Sequence, residues 1–193
     1  MRRRTLLAVI LMLAALGFAL PRPWPHAPLP PRQGLPLAAA TAWGLQLQNV
    51  VALSIPDSVD MLVVDYSHDG TDQHALNPAR IAALKARKGK PDRIVLCYMS
   101  IGEAESYRYY WHTRWQSEPP PWLGKESAEW KGNFQVRYWH PSWQDIIVSR
   151  TPTVFTRLLE FALPAQKPYT DRIVEAGCDG VYLDRIDAFG EWQ

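Results

Sequence analysis

Cysteine is scarce in this chain: 193 residues carry only two, Cys97 and Cys178. None lies near the N-terminal apolar segment, which argues against a lipoprotein anchor. Long hydrophobic runs are missing as well. The uncharged apolar stretch from Leu6 to Leu20 counts 15 residues, short of the roughly 20 that a helix needs to span a bilayer. Positive charge is confined in the same way. Removing Arg2, Arg3 and Arg4 takes the formal charge from +2 to −1, and no basic run occurs elsewhere, so a nucleic-acid partner has no electrostatic support. No strand is followed by a glycine-rich phosphate loop, which disfavours nucleotide binding. No H-x-x-x-H pair on one helical face marks a metal site, and no G-x-S-x-G elbow marks a serine nucleophile.

What is present is a globular composition, 47% hydrophobic and 21% charged, with nine Trp, eight Tyr and 17 Pro. Several of the aromatic residues fall in loop-like stretches, where they suit the faces of sugars and equally well cap a core. Residues 1–20 read as a secretory signal, with an uncleaved N-terminal anchor as the alternative; either places the rest outside the cytoplasmic membrane, secreted or periplasmic. Residues 21–40 read as a linker, since seven prolines stand between positions 21 and 36 and proline fixes φ and removes donors. A domain then runs from 41 to 193.

Within it, strand-like and helix-like stretches alternate. Leu45–Asn49, Met61–Tyr66, Ile94–Met99, Phe134–Trp139 and Val181–Asp184 read as strands, several of them near-continuous apolar runs that suit burial on both faces. Asn77 and Pro78 open a helix. A second helix is expected over Glu103–Trp111, a short one with Ser142 as its cap follows Trp139, and one or two more lie within 153–176. Residues 115–133 read as a long loop. Repeated β-then-α units predict an α/β fold with parallel strands, either an open doubly wound sheet or part of a (β/α)8 TIM barrel. Cys97 late in one strand and Cys178 just before another predict positions too far apart for a bridge, and hence buried free thiols.

The acids are not scattered. Asp65 ends the second strand, Glu103 and Glu105 follow the third, and Asp184 and Asp187 follow the fifth. Parallel strands open all their C-terminal ends on one side, so these carboxylates converge on one mouth. Strand alternation puts Asp184 on the face of Tyr182, with Val181 and Leu183 toward the helices. Each acid also has a plainer role available. Asp65 suits a turn, Asp187 and Glu103 suit helix starts, and Arg108 and Arg185 are potential cation partners. Paired carboxylates at one rim are what glycoside hydrolysis requires. Oxygen ligation of a hard cation is the competing use.

At these residues the chain resembles the barrel domain of glycoside hydrolase family 114, most closely its bacterial and archaeal extracellular branch. The resemblance runs through Leu47-Gln48-Asn49, Val63-Val64-Asp65-Tyr66-Ser67-His68-Asp69-Gly70 and Cys97-Tyr98-Met99-Ser100-Ile101-Gly102-Glu103-Ala104-Glu105-Ser106-Tyr107-Arg108. It continues through Trp130-Lys131-Gly132-Asn133, Val136-Arg137-Tyr138-Trp139 and Gly180-Val181-Tyr182-Leu183-Asp184. It implies a (β/α)8 barrel of which about the first five β/α units are present, and endo-hydrolysis of α-1,4-linked galactosamine polymers without a cofactor or metal. It implies that Asp184 is one catalytic carboxylate, the second being a Glu on a later strand that these residues do not reach. It implies that Asp65, Tyr98, Glu103, Glu105, Arg108 and Asp187 contact substrate. A non-catalytic, carbohydrate-binding or vestigial barrel is the alternative. His140 departs from the family pattern, which has Asp there, and 149–169 is longer than the usual link.

Overall fold

A computed structural model describes residues 34–148 and 167–192. The expected signal segment, residues 21–33 of the expected linker, and the helical stretch over 153–166 lie outside the described residues; within the rest of the linker, Leu37–Ala39 forms a 3-10 turn. Four strands form a parallel sheet in the order β1-β2-β3-β7: β1 (Trp43–Gln46), β2 (Met61–Val64), β3 (Ile94–Ser100) and β7 (Gly180–Asp184). The protein is thus mixed α/β with a parallel sheet. The apolar runs explain the placement of its centre. Leu62, Val63, Val64, Val95, Cys97 and Met99 are all buried, as central parallel strands covered on both faces must be.

Helix α1 (Pro78–Lys85) begins as its sequence dictates. The Asn77 side chain accepts from the Arg80 amide at 3.0 Å, and Pro78 fills the first turn, where its missing N–H costs nothing. Ile81 and Leu84 turn inward. Helix α2 (Pro141–Ile147) is capped by His140 rather than by Ser142: the ring Nδ1 accepts from the Ser142 amide at 3.1 Å. His140 stands at the departure from the family pattern, and an imidazole acceptor there does what an Asp would do. Helix α3 (Tyr169–Ala176) ends at Gly177, whose φ of 93° reverses the chain into β7.

Three expectations are corrected. Glu103–Glu105 is a strand, β4, not the start of a helix. The stretch 115–133 is not one loop: it takes in the end of a 3-10 turn, Thr113–Gln116, and contains strand β5 (Leu123–Glu126). The expected fourth parallel strand, 134–139, is instead β6 (Asn133–Val136), which pairs antiparallel with β4 and β5 in a separate sheet ordered β4-β6-β5. The physical cause is shared. Trp111, Trp115, Trp122, Trp143 and Phe134 pack ring on ring at centroid distances of 4.7–5.3 Å, and this aromatic cluster packs the small sheet onto the same core as the parallel sheet. Those loop-like aromatics therefore serve packing, while Trp130 and Trp139 stay exposed.

The two cysteines are bonded, contrary to the expected free thiols. Cys97 and Cys178 form a disulfide with their Cα atoms 5.9 Å apart. Register is the reason. β7 joins β3 with Gly180 opposite Leu96 and Val181 opposite Cys97, and Cys178, in the turn that Gly177 opens before β7, is not level with Cys97 along the strands yet lies within reach of it on the helix-facing side. Both pack on the helix-facing core along with Val181. Leu183, on the same face as Val181, is exposed.

Candidate functional site

The sheet has two faces with different chemistry. Val64, Val95, Cys97, Met99 and Val181 belong to the packed core beneath the helices. The alternate residues, Asp65, Tyr98, Ser100, Tyr182 and Asp184, line the other face. The register pairs Tyr98 with Tyr182 and Ser100 with Asp184, so Tyr98 stands one pleat below Asp184. Its hydroxyl donates to Asp184 Oδ2 at 2.6 Å. The backbone around Asp184 is fixed too: Ile101 N–H donates to its carbonyl at 3.1 Å, and Arg185 follows with φ 58°, a left-handed conformation costly for a residue with a side chain. Gly102 explains how the turn is accommodated. A Cβ there would lie 2.4 Å from the Arg185 carbonyl oxygen and 2.5 Å from Ala188 Cβ, so only glycine lets the β3–β4 connection approach so closely.

Asp65, Glu105 and Arg108 are brought together as a buried ion network. The Arg108 guanidinium lies 2.7 Å from Asp65 Oδ2 and 2.6 Å from Glu105 Oε2, and also donates to Asp65 Oδ1 at 2.9 Å. Tyr66, Tyr107 and Tyr169 surround it, with ring centroids 5.0–5.8 Å from the guanidinium carbon. Tyr107 donates to Glu105, and the Tyr110 hydroxyl accepts from the Glu105 amide at 3.0 Å. Burial pushes the Asp65 carboxyl up, and Arg108 offsets this only in part. Burial works against the charge on Arg108, but Tyr169, Glu105 and Asp65 outweigh it and hold the guanidinium firmly protonated. The polar atoms of Asp65, Glu105 and Arg108 are thus engaged with one another.

Glu103 is buried and accepts from the Asn133 side-chain Nδ2 at 3.2 Å, while Arg185 Nε lies 3.3 Å away, an ion contact rather than an aligned hydrogen bond. Arg185 also pairs with Glu191. Asp187 is exposed on the turn after β7, next to the 3-10 segment Ala188–Trp192. Asp184 differs from the other strand-end acids: it is half-buried, and among the described residues its carboxylate is engaged by a tyrosine hydroxyl and not by an arginine. Tyr107, Asn133 and the Tyr66–Tyr169 pair were not foreseen from the sequence, where nothing in their spacing marks them. Among the described residues no group of three or more His, Cys, Asp or Glu side chains is placed to hold a metal ion. A cavity of about 400 Å³ adjoins the ion network, lined by Asp72, Tyr107, Arg108, Tyr109 and Arg172 among others; Asp184 is not part of it.

Compared with known families, residues 25–193 match Glycoside-hydrolase family GH114. Similar curated proteins are uncharacterised. One from Methanocaldococcus jannaschii is 40% identical over 151 residues, covering 78% of this chain and 37% of the relative. One from Thermotoga maritima is 35% identical over 151 residues, covering 78% and 40%. One from Deinococcus radiodurans is 33% identical over 165 residues, covering 83% and 45%. The chain therefore spans less than half the length of these relatives. Among solved structures, Aspergillus fumigatus Ega3 in complex with galactosamine is similar at 20% identity and a TM-score of 0.48, covering 78% of this chain and 46% of that one. The glycoside hydrolase domain of PelA from Pseudomonas aeruginosa is similar at 18% identity and a TM-score of 0.48, covering 78% and 47%.

Proposed function

The chain belongs to glycoside hydrolase family 114, and from that premise we propose that it acts outside the cytoplasmic membrane on an α-1,4-linked galactosamine-type polysaccharide, with Asp184 as one of two catalytic carboxylates. The observation that carries this reading is the state of Asp184. It ends a parallel strand, on the face away from the helices, half-buried and bonded to a neutral donor. A carboxylate whose oxygens are tied up by arginine, as those of Asp65 and Glu105 are, is a poor nucleophile; one held by a phenol through a single oxygen keeps the other oxygen open. Hydrolysis then needs a second carboxyl to protonate the leaving oxygen. By the family resemblance that is a Glu on a later strand, and the four parallel strands are read as part of the family's (β/α)8 barrel.

The substrate class follows from charge. Deacetylated galactosamine carries an ammonium, and Asp184 together with the exposed Asp187 makes the end of β7 acidic. Asp65, Tyr98, Glu103, Glu105 and Arg108 complete the proposed site. The location reading draws on the apolar Leu6–Leu20 segment and on the Cys97–Cys178 bond, because disulfides persist in oxidising compartments.

The test is hydrolysis of α-1,4-polygalactosamine by the full-length protein and by Asp184→Asn. Turnover by the wild type and its loss by a factor of about 10³ or more in the variant is the expected result, by analogy with removal of other catalytic groups. Turnover that survives the substitution unchanged refutes the assignment, and glycan binding without any turnover supports the carbohydrate-binding alternative instead.

A further inference from the structure

We infer that Tyr98 is a positioning residue for Asp184, holding its carboxylate in one orientation, rather than a residue that grips substrate. The inference rests on the hydrolase reading for its consequence, but on geometry for its substance. Three observations carry it.

The first is contact. Tyr98 and Asp184 sit on neighbouring strands, one pleat apart on the same face, and the phenol reaches Asp184 Oδ2 at 2.6 Å. That length falls in the range of about 2.5–2.7 Å for a hydroxyl donating to an ionised carboxylate, roughly twice as strong as a neutral bond.

The second is access. Tyr98 is 8% exposed, so it presents almost no ring face on which a sugar could stack. Its one polar atom is already committed to Asp184.

The third is persistence. Burial, followed by the nearby Glu105 and Asp184, pushes the Tyr98 phenol above its ordinary range. The hydroxyl therefore stays protonated, and available as a donor, beyond the pH at which a free phenol ionises.

Together with the Ile101 amide, which fixes the Asp184 backbone at 3.1 Å, the phenol removes the remaining freedom of the side chain. It holds Oδ2 and leaves Oδ1 as the oxygen available to react. A reacting carboxylate held in one rotamer needs no reorganisation on the way to the transition state. The effect should therefore appear in kcat and not in KM.

The experiment is Tyr98→Phe, which keeps the ring and its packing and removes only the hydroxyl. Two readouts are taken on the full-length protein: the crystal structure of variant and wild type, and steady-state kinetics on α-1,4-polygalactosamine. The expected result is an Asp184 carboxylate that rotates or loses a single position, with kcat falling about ten- to hundredfold and KM nearly unchanged. An Asp184 carboxylate that keeps its wild-type place, or a KM that rises while kcat is retained, overturns the inference. A wild type without turnover removes the hydrolase reading, and the crystallographic comparison then decides the positioning role on its own.

Discussion

Breaking the Cys97–Cys178 bond should cost this domain much of its stability. The bridge spans 81 residues of sequence, and by the loop-entropy relation it removes about 15 cal/mol/K from the unfolded chain, about 4.5 kcal/mol at 25 °C. The enclosed loop holds most of β3, the whole small sheet, α2 and α3, so the unfolded ensemble gains a great deal of freedom when it opens. For a domain of this size each kcal/mol moves Tm by about 2–4 °C, which gives an expected fall of about 9–18 °C. Because Cys97 is fully buried, the reduced form is best prepared by unfolding and refolding in reductant. Thermal melts of the oxidised and reduced protein, followed by circular dichroism, then read the difference directly. Coincident melts would refute the reasoning. So would the trapping of two free thiols by alkylation of the purified protein under denaturing conditions.

The Arg108→Met variant strands Asp65 and Glu105 as buried carboxylates without their cation; it should lose about 3–5 kcal/mol in chemical denaturation, and a loss below about 1 kcal/mol would show that the network contributes little. Asp60 supplies the pH dependence. The Thr41 amide, Arg87 at 2.7 Å and the Thr41 hydroxyl hold its carboxyl well below the usual range. Since the folded value lies below the unfolded one, its stabilisation is complete above about pH 5, begins to fall as the unfolded carboxyl titrates at about pH 4, and is lost as pH drops toward the folded value. The gap in Tm between wild type and Asp60→Asn should therefore be constant from neutrality to about pH 5 and narrow below it; a gap that widens in acid would contradict this sign.

The parallel sheet was legible because its evidence is local. Met61–Val64 and Ile94–Met99 are continuous apolar runs, and a strand buried on both faces has to look that way. The start of α1 was legible for the same reason, since Asn77 and Pro78 act within one turn. The small sheet was not. Glu103-Ala104-Glu105 reads as a helix start because its two acids suit the positive end of a helix, yet all three residues are buried, and the acids are compensated by Arg185, Arg108 and Asn133. Arg108, three residues after Glu105, was a visible candidate partner, but nothing in spacing shows that Arg185 and Asn133 meet Glu103. The disulfide was hidden by a register that only the pairing of Gly180 with Leu96 reveals. For the candidate site, the strand-end position of Asp184 could be read directly. The Glu105–Arg108 pair is local, but the capture of Asp65 by that same arginine, and of Asp184 by Tyr98, depends on residues far apart in sequence meeting in space.

Cys97 and Tyr98 are adjacent in sequence, and alternation sends them to opposite faces of β3. One is bonded to Cys178 on the helix side; the other reaches Asp184 on the far side. β7 is thus clamped from above and below by two consecutive residues. A strand that slips by two residues keeps its faces but travels roughly 7 Å, which would carry Asp184 away from the phenol and Cys178 away from its sulfur partner. The disulfide on one face and the phenol on the other therefore mark the same alignment of β7 on β3, and a slipped strand loses both at once.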